Sequence, residues 1–544
     1  MSRRIEIYDT TLRDGAQSPR VFFSEAGKLQ IARRFDAFGM DYIEGGFPAS
    51  NPKDAGFFQE AARMSWTTSR VVAFGSTRRA RMSVGEDPGL RVLLETPVPA
   101  VAIFGKAWRL HVRDVLKTTD AENLRMVSDS VRALKAAGRE VVFDAEHFFD
   151  GYRDNAAYAM AVLDAAREAG ADVLVLCDTN GGSLPDAVAQ ITREVVQRFG
   201  GRIGIHAHND GELAVANTLA AVQAGAVHVQ GTINGFGERC GNANLCSIIP
   251  NLVLKMGLDC TAARSLKELR ALSELVYELA DIPPNPRLPF VGDDAFAHKA
   301  GMHADAVRKN PRAYEHILPE SVGNQRRILV SELSGASNVL MKAIEMGLHL
   351  DRDSKEVRDI LRELERLERQ GYQFEAADAS FKLLVQKVLR KHRAFFHLDG
   401  FRVIVEKRRA GEPCVSEATV KLRVNDELVH TVGEGDGPVD ALNRALRKAL
   451  IPFYPSIREV RLVDYSVRIL DAKADTAAKT RVLIESAAGR DHWNTMGVSD
   501  NIIEASWDAL VEGIEYKLLL DEQEGKTSSP ALSSEKTAEH LSES

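Results

Sequence analysis

The first 235 residues alternate eight short runs rich in β-branched residues with longer amphipathic stretches, and this alternation restricts the possible folds more than any other feature. Several of the longer stretches, such as EAGKLQIARRFDAFG, space apolar residues three and four positions apart, as helices do. Apolar strands that alternate with helices predict a parallel sheet covered on both faces. Eight units of this size predict a (β/α)8 TIM barrel. The runs are IEIYD, DYIEGG, RVVAFG, AVAIFG, EVVFDAE, VLVLCDT, IGIHAH and AVHVQGT.

A doubly wound sheet is the alternative fold. It usually has fewer strands and needs a glycine-rich turn after its first strand. Here TTLRDG follows the first run, so the barrel is favoured.

The remaining chain predicts three further parts. The barrel is assigned to residues 1–275 and a helical connector that contributes to the active site to 276–395. After residue 400 the apolar period changes to two, which predicts strands. The segments from Thr431 and Thr495 share six identities in sixteen positions, so we predict a duplicated βββα regulatory domain of α+β type over 396–521. The serine-rich residues 522–544 are predicted to form a disordered tail.

Composition excludes several classes of protein. With 70 basic and 77 acidic residues the net charge is −7, which argues against a nucleic-acid partner. No apolar run approaches the ~18 residues of a membrane span, and the first strand begins too early for a signal peptide. Five cysteines without a CxxC pair argue against a disulfide framework. We therefore expect a soluble enzyme of the cytoplasm.

Ionisable and polar side chains collect where the predicted strands end, which is where barrel enzymes place their active sites. His206 and His208 lie at the end of the seventh run, and strand alternation points both imidazoles to one face. With a carboxylate from Asp14 they predict a divalent metal site. We expect Mg²⁺ or Mn²⁺, with Zn²⁺ as the alternative. Two further interpretations stay open: histidines that are hydrogen-bonded without a metal, and Cys240 as a competing ligand.

The loop NGFGERCGNAN (234–244) follows the last predicted strand. Its glycines are spaced GxGxxxG, whereas a dinucleotide fingerprint needs GxGxxG after the first strand. We instead predict close approach of its backbone to a phosphate or thioester, with the Asn242 side-chain oxygen facing the metal. The residues assigned to this approach are Gly235, Gly237, Arg239 and Gly241.

Glu146 ends the fifth run among aromatic residues, a placement that suits proton transfer, although pairing with an arginine is the alternative. His303 lies after the barrel, and from its surroundings alone it is a surface or packing histidine.

The motifs TTLRDG, IEGGFP, HAHND and GERCGNAN together resemble those of the metal-dependent, Claisen-condensing barrel enzymes, the 2-isopropylmalate synthase and homocitrate synthase family. The resemblance covers nearly all of the chain except its tail. Segments such as FGKAWRLHV and FDAEHFFDGY resemble most the branch of this family that condenses acetyl-CoA with pyruvate.

The resemblance implies roles for individual residues. Asp14, His206 and His208 match the metal ligands, and Asn242 lies at the fourth position of that site. The keto acid would contact Arg13 and Thr179, with Gln17 and Glu44 as further substrate-binding candidates. Proton transfer from acetyl-CoA would involve Glu146 and His303, assisted by Asp305 and Tyr314. The positive charges expected near the CoA phosphates are those of Lys106, Arg109 and Arg113.

The implied activity is acyl transfer that forms (R)-citramalate and CoA from acetyl-CoA, pyruvate and water, in isoleucine synthesis that does not need threonine. The nearest alternative uses 2-oxoisovalerate and makes 2-isopropylmalate. A metal-dependent lyase or aldolase and a non-catalytic amino-acid sensor are alternatives of other classes. The resemblance further implies a homodimer whose C-terminal domain binds isoleucine or leucine as an effector.

Overall fold

The computed structural model describes residues 3–298, 303, 306–307, 309–328, 350, 354–392, 394–407, 409–470, 478–489 and 491–524. Eight parallel strands close into a barrel in chain order, so the predicted fold is confirmed. The strands are β1 Glu6–Asp9, β2 Tyr42–Gly46, β3 Arg70–Ser76, β4 Ala100–Lys106, β5 Glu140–Glu146, β6 Val173–Asp178, β7 Ile203–Ala207 and β8 His228–Gly231.

Helices follow the barrel strands and cover the outside of the sheet. Ser24 accepts a hydrogen bond from the Gly27 amide at the start of the first helix, and Gly39 ends that helix in the left-handed conformation, φ 101°. The helices are α1 Glu25–Phe38, α2 Pro52–Ala61, α3 Pro88–Glu95, α4 Asp120–Ala136, α5 Phe148–Glu168, α6 Pro185–Phe199, α7 Ala214–Ala224 and α8 Leu245–Pro250.

Alternate strand residues divide the barrel into two apolar layers. Ile7 and Ile43 belong to the large cluster between sheet and helices, whereas Tyr8, Tyr42 and Val72 belong to the cluster inside the barrel. The barrel is therefore a packed core and not a pore, and the room for chemistry is left at its mouth.

Charged residues close the N-terminal end of the barrel. Arg202 donates to Glu6 and to Glu140, each at 2.7 Å, and the His228 ring lies 3.2 Å from Glu6. Although burial opposes ionisation of Glu6, the hydrogen bonds from His228 and Arg202 lower its pKa to about 2. This network lies at the end opposite to the predicted active site.

The chain divides into two compact units, residues 1–297 with 315–327 and residues 298–314 with 328–544. The boundaries predicted at 275, 395 and 521 stay predictions. After the barrel, the first unit has a 3-10 helix, Thr261–Glu268, and the helix α9, Leu269–Leu279; short strands β9 and β10 follow at Ala297–His298 and Arg327–Ile328. The second unit includes the helices α10 Lys355–Gln370 and α11 Asp378–Val388, which precede its strands.

The predicted duplicated module is present as two antiparallel βββ sheets, each followed by a helix, so this part of the fold prediction is confirmed. The first copy has β11 His397–Glu406, β12 Val415–Val424, β13 Glu427–Gly435 and α12 Pro438–Leu450. The second has β14 Arg461–Ile469, β15 Thr480–Ala488, β16 Asp491–Ser499 and α13 Ile502–Gln523. The helix α13 extends two residues past the predicted start of the tail, and the tail itself stays a prediction; residues 525–544 lie outside the described residues.

The identities between the two copies have a packing reason. Thr431 donates to the Ala445 carbonyl at 2.8 Å, and Thr495 donates to the Ala509 carbonyl at 2.7 Å. A Cβ on Gly433 would lie 2.5 Å from the Ala445 nitrogen. Each copy thus anchors its helix to its third strand through the same threonine contact. No helix within the described residues combines the length and apolar composition that a membrane crossing requires.

Candidate active site

Asp14, His206 and His208 meet at the mouth of the barrel. The two imidazole Nε2 atoms lie 3.3 Å apart, and both face Asp14 Oδ2, at 3.2 Å from His206 and 3.9 Å from His208. All three side chains are buried, and their ligand atoms lie within 4.8 Å of one another. The ends of strands far apart in the chain meet here because the barrel closes β8 against β1.

The protonation of these three groups is coupled. Burial opposes ionisation of Asp14, but the Arg13 guanidinium and the contact with His206 hold its pKa well below its usual range. Burial also opposes charging of His206, whereas Asp14 raises its pKa. Burial and the neighbouring His206 lower the pKa of His208 to about 3. Two imidazole nitrogens that converge on one carboxylate oxygen are the arrangement that a divalent cation stabilises.

The donor atoms around these three residues bear on the fit of the site to a metal ion. Among the described residues, His208 Nδ1 and Asn242 Oδ1 are buried without a hydrogen-bond partner. The Asn242 amide faces the cluster, with Nδ2 at 2.9 Å from Asp14 and 3.3 Å from His206. Cys240 is exposed and does not belong to the three-residue cluster. The donor set of two imidazoles and a carboxylate suits a divalent ion. The Asn242 oxygen lies toward Gly237, so its predicted contact with the metal stays a prediction.

Arg13 lies beside the cluster, and a buried carboxylate fixes its guanidinium group. Its guanidinium is 3.3 Å from Asp14, and its Nε donates to Glu44 at 2.6 Å. The Glu44 carboxylate is fully buried and also accepts hydrogen bonds from the Tyr8 and Thr10 hydroxyls. We therefore interpret Glu44 as support for Arg13; its predicted contact with substrate stays a prediction that this placement does not favour.

An aromatic wall extends from Arg13 toward the next strands. The guanidinium carbon of Arg13 lies 3.7 Å from the centre of the Phe74 ring, and Phe74 stacks on Phe104 at 5.6 Å. Phe47 meets Phe74 edge to face at 5.7 Å. Gln17, the other predicted substrate contact near Arg13, is exposed in a short 3-10 helix. The wall of Phe47, Phe74 and Phe104 bounds the space beside Arg13.

Glu146 ends β5 and is partly exposed, with its carboxylate paired to Lys106 at the end of β4. The partner is thus a lysine and not the arginine considered as the alternative. Thr179 lies at the end of the next strand, where its hydroxyl accepts the His147 amide at 2.8 Å. Arg109 and Arg113, expected near the CoA phosphates, pair with Asp120 at 2.8 Å and with Asp114 at 2.6 Å.

The loop after β8 folds closely on itself. A Cβ on Gly237 would lie 1.9 Å from Asn242 Oδ1, and Gly241 has φ 93° with its Cβ position 2.1 Å from the Gly235 carbonyl. Arg239 donates to Asp210 at 2.7 Å. These glycines allow the Asn242 side chain to approach Asp14 and His206. Their predicted contact with CoA stays a prediction.

The residues predicted after the barrel belong to the second unit. His303 and Tyr314 stack their rings at 4.2 Å, and Tyr314 is 48% exposed. Asp305 lies outside the described residues.

The sequence analysis missed a buried polar pair behind His206. Gln230 Oε1 faces His206 Nδ1 at 2.8 Å, and Gln230 Nε2 donates to Asp144 at 3.0 Å. Burial raises the pKa of Asp144 to about 7. Such contacts fix the orientation and tautomer of a ligating histidine. The sequence feature that could have indicated this pair is the presence of a glutamine and an aspartate inside otherwise apolar strands.

Comparison with protein families divides the chain into three matched regions. Residues 4–276 match the HMGL-like family, 290–371 the homocitrate synthase post-HMGL domain-like family, and 375–518 the LeuA allosteric (dimerisation) domain.

Three relatives illustrate the similarity over the full length. An (R)-citramalate synthase of Aquifex aeolicus is 52% identical and covers 96% of this chain and 100% of its own. That of Geobacter sulfurreducens is 50% identical, covering 95% and 98%. A 2-isopropylmalate synthase of Methanocaldococcus jannaschii is 32% identical, covering 94% of each chain.

Proposed function

The chain belongs to the family of (R)-citramalate synthases within the HMGL-like barrel enzymes, and from this premise we propose how its residues condense acetyl-CoA with pyruvate. The reaction joins the acetyl methyl carbon to the keto carbon of pyruvate, and water then releases CoA. The product is (R)-citramalate, which would enter isoleucine synthesis without threonine.

The observation that carries this proposal is the cluster of Asp14, His206 and His208 directly beside Arg13. A divalent ion held there, Mg²⁺ or Mn²⁺ in our proposal, would polarise the keto carbonyl of pyruvate as a Lewis acid. Negative charge builds on the keto oxygen as the carbon–carbon bond forms. The Arg13 guanidinium, fixed by Glu44, is placed to stabilise that charge without reorganising.

A carboxylate-binding residue and a set of proton-transfer residues complete the proposed active site. Thr179 has its hydroxyl at the barrel mouth and would bind the pyruvate carboxylate. Glu146 and His303 would share proton transfer from the acetyl methyl group, with Asp305 and Tyr314 assisting the histidine.

The aromatic wall favours pyruvate over the larger 2-oxoisovalerate. Phe74 is 7% exposed and lies under Arg13, and Phe104 stacks on it. Two extra methyl groups on the keto acid would need space beside Arg13 that these rings occupy. One methylene of such misfit is worth roughly 1–3 kcal/mol in discrimination.

The test measures release of the CoA thiol from acetyl-CoA with pyruvate, 2-oxoisovalerate or 2-oxoglutarate, each with and without a chelator. We expect turnover with pyruvate alone, abolished by chelation and restored by added Mg²⁺ or Mn²⁺. Preference for 2-oxoisovalerate would support the 2-isopropylmalate alternative. CoA release with none of the three keto acids would refute the proposal, and cleavage of citramalate without CoA transfer would support a lyase.

The LeuA domain supports a dimer with allosteric regulation. We propose a homodimer in the cytoplasm that binds isoleucine or leucine as the effector in the C-terminal module. Large apolar side chains on the first sheet support an interface there: Ile404 is 41%, Leu428 55% and Val432 42% exposed. We expect a dimeric mass in solution for the wild type and a monomeric mass for Val432→Asp. Val115→Asp is the control, because it makes the same change at an exposed valine outside this sheet.

A further inference from the structure

The ion pair between Lys106 and Glu146 is not used by the function derived so far. We propose that Lys106 is a positioning residue, which holds the Glu146 carboxylate in place at the barrel mouth. This inference rests on the proposed role of Glu146 in proton transfer.

The pair is built by the register of the barrel. Lys106 and Glu146 are directly paired residues of β4 and β5, each the last residue of its strand. Parallel strands end together at the mouth of a barrel, so the two side chains leave the sheet side by side. Their side chains are 15% and 24% exposed, so both reach the mouth while remaining mostly shielded from water.

The backbone on both sides of the pair is held in place. The buried Asn123 amide donates to the Lys106 carbonyl at 2.9 Å and to the Tyr158 hydroxyl at 2.9 Å. The Ala107 amide donates to the Glu146 carbonyl at 3.1 Å. Because the main chain is fixed at both residues, the ammonium group determines where the carboxylate lies.

Lys106 also connects Glu146 to the keto-acid site. Its ammonium lies 5.2 Å from the centre of the Phe104 ring, within the range of a cation–π contact. Phe104 stacks on Phe74, and the Arg13 guanidinium lies over the Phe74 ring. Two cationic side chains therefore contact one pair of stacked rings: Arg13, which lies beside Asp14, and Lys106, which lies beside Glu146.

The other titratable groups near Glu146 cannot replace this cation. His111 packs against His147 at 4.2 Å, and burial, with the charges of His147 and Lys106, lowers the pKa of His111. The His147 ring nitrogen faces Asp150 at 3.3 Å, so it is engaged by another carboxylate. Lys106 is the cation in direct ion-pair contact with Glu146 in the described part of the barrel.

A purely structural pair and a positioning pair predict different results. A partly exposed ion pair contributes roughly 0–1 kcal/mol to stability. Loss of an ammonium in contact with a carboxylate makes the carboxylate easier to protonate by about one pH unit. A change in the pH dependence of catalysis, without a matching loss of stability, therefore identifies positioning.

The experiment compares the full-length wild type with Lys106→Met, Lys106→Gln, Lys106→Arg and Glu146→Gln. CoA release with pyruvate gives kcat and kcat/KM between about pH 5.5 and 9, where general acid–base groups titrate. Deuterium exchange into the acetyl-CoA methyl group reports proton removal separately. Lys135→Met is the matched control, because Lys135 forms a 2.7 Å pair with Asp172 at the other end of the barrel.

We expect the acidic limb of kcat/KM to move up by about one pH unit in Lys106→Met and Lys106→Gln, with kcat lowered about tenfold or more. Lys106→Arg should restore most of both values, and Lys135→Met should match the wild type. Glu146→Gln should lose proton exchange.

Two results separate the possible failures. If Glu146→Gln exchanges methyl protons normally, the proposed role of Glu146 is wrong. If Glu146→Gln is inactive while Lys106→Met keeps the wild-type pH profile, Glu146 acts without Lys106 and the inference is overturned. Failure of both neutral Lys106 variants to fold would also overturn it, because the pair would then be structural.

Discussion

Replacing Glu44 with glutamine tests whether the buried carboxylate behind Arg13 supports catalysis. Glu44 accepts hydrogen bonds at 2.6 Å from the Tyr8 hydroxyl and at 2.6 Å from Arg13 Nε, and a third from Thr10. Glutamine keeps the shape but removes the charge, and one of its two terminal groups is a donor. Arg13 would then lack its closest anion.

The expected magnitude follows from these contacts. Breaking a buried ion pair by removing one partner costs about 3–5 kcal/mol. Arg13 keeps Asp14 at 3.3 Å, so we expect the lower end, about 3 kcal/mol in the free energy of unfolding. Misplacement of Arg13 should lower kcat by about 10²–10³-fold, as for loss of one preorganised group at a developing charge.

The assay combines urea denaturation, followed by far-ultraviolet circular dichroism, with CoA release at saturating pyruvate. Glu6→Gln is the matched control, because it makes the same chemical change at the opposite end of the same barrel. Glu6 has a pKa of about 2 against an ordinary 4.5, and because solvent screens this partly exposed group its interactions contribute roughly 1–3 kcal/mol at neutral pH. We expect similar destabilisation in both variants and a loss of kcat in Glu44→Gln alone.

A wild-type kcat in Glu44→Gln would refute the reasoning that Glu44 orients Arg13. A loss of kcat in Glu6→Gln as large as that in Glu44→Gln would refute it too, since lower stability alone would then explain the lower activity.

Three further predictions test other parts of the structure. Because the pKa of Glu6 is lowered to about 2, its contribution is complete above about pH 4.5 and is lost as the pH falls toward 2; urea denaturation should show this loss in the wild type and not in Glu6→Gln. Mn²⁺ at about 100 times its Kd should stabilise the wild type by about 2.7 kcal/mol, measured as a rise in Tm, and should leave Tm of His208→Ala unchanged; an equal rise in that variant would contradict the metal site. Phe104→Ala should raise the ratio of kcat/KM for 2-oxoisovalerate to that for pyruvate about tenfold or more, and an unchanged ratio would show that the aromatic wall does not select the keto acid.

The barrel and the duplicated module were predictable because their signals are local and repeated. All eight runs became strands with ends within two residues of the observed ones, from IEIYD, seen at Glu6–Asp9, to AVHVQGT, seen at His228–Gly231. The weak repeat was sufficient to predict the duplicated module, because the residues that the two copies share have the same packing role. Thr431 and Thr495 each hold the following helix by the same hydrogen bond. The domain boundaries depend on contacts distant in the chain, and no periodicity indicates them.

The convergence of Asp14, His206 and His208 was predictable because closure of the barrel brings all strand ends to one mouth. The roles of Glu44, Gln230 and Lys106 were not, because each depends on a contact with a residue on another strand. Glu44 follows the same strand-end pattern as Glu146, yet Glu44 is enclosed by three donors while Glu146 reaches the mouth.

The sequence by itself therefore determined the architecture and the donor atoms available at the barrel mouth, because side-chain periodicity and strand ends are properties of short segments. Only the tertiary structure decided which of those atoms are engaged. Hydrogen-bond donors occupy the lone pairs of Glu44, while two imidazole nitrogens, of His206 and His208, converge on one oxygen of Asp14. This difference is set by cross-strand register and burial, which arise only when the barrel closes.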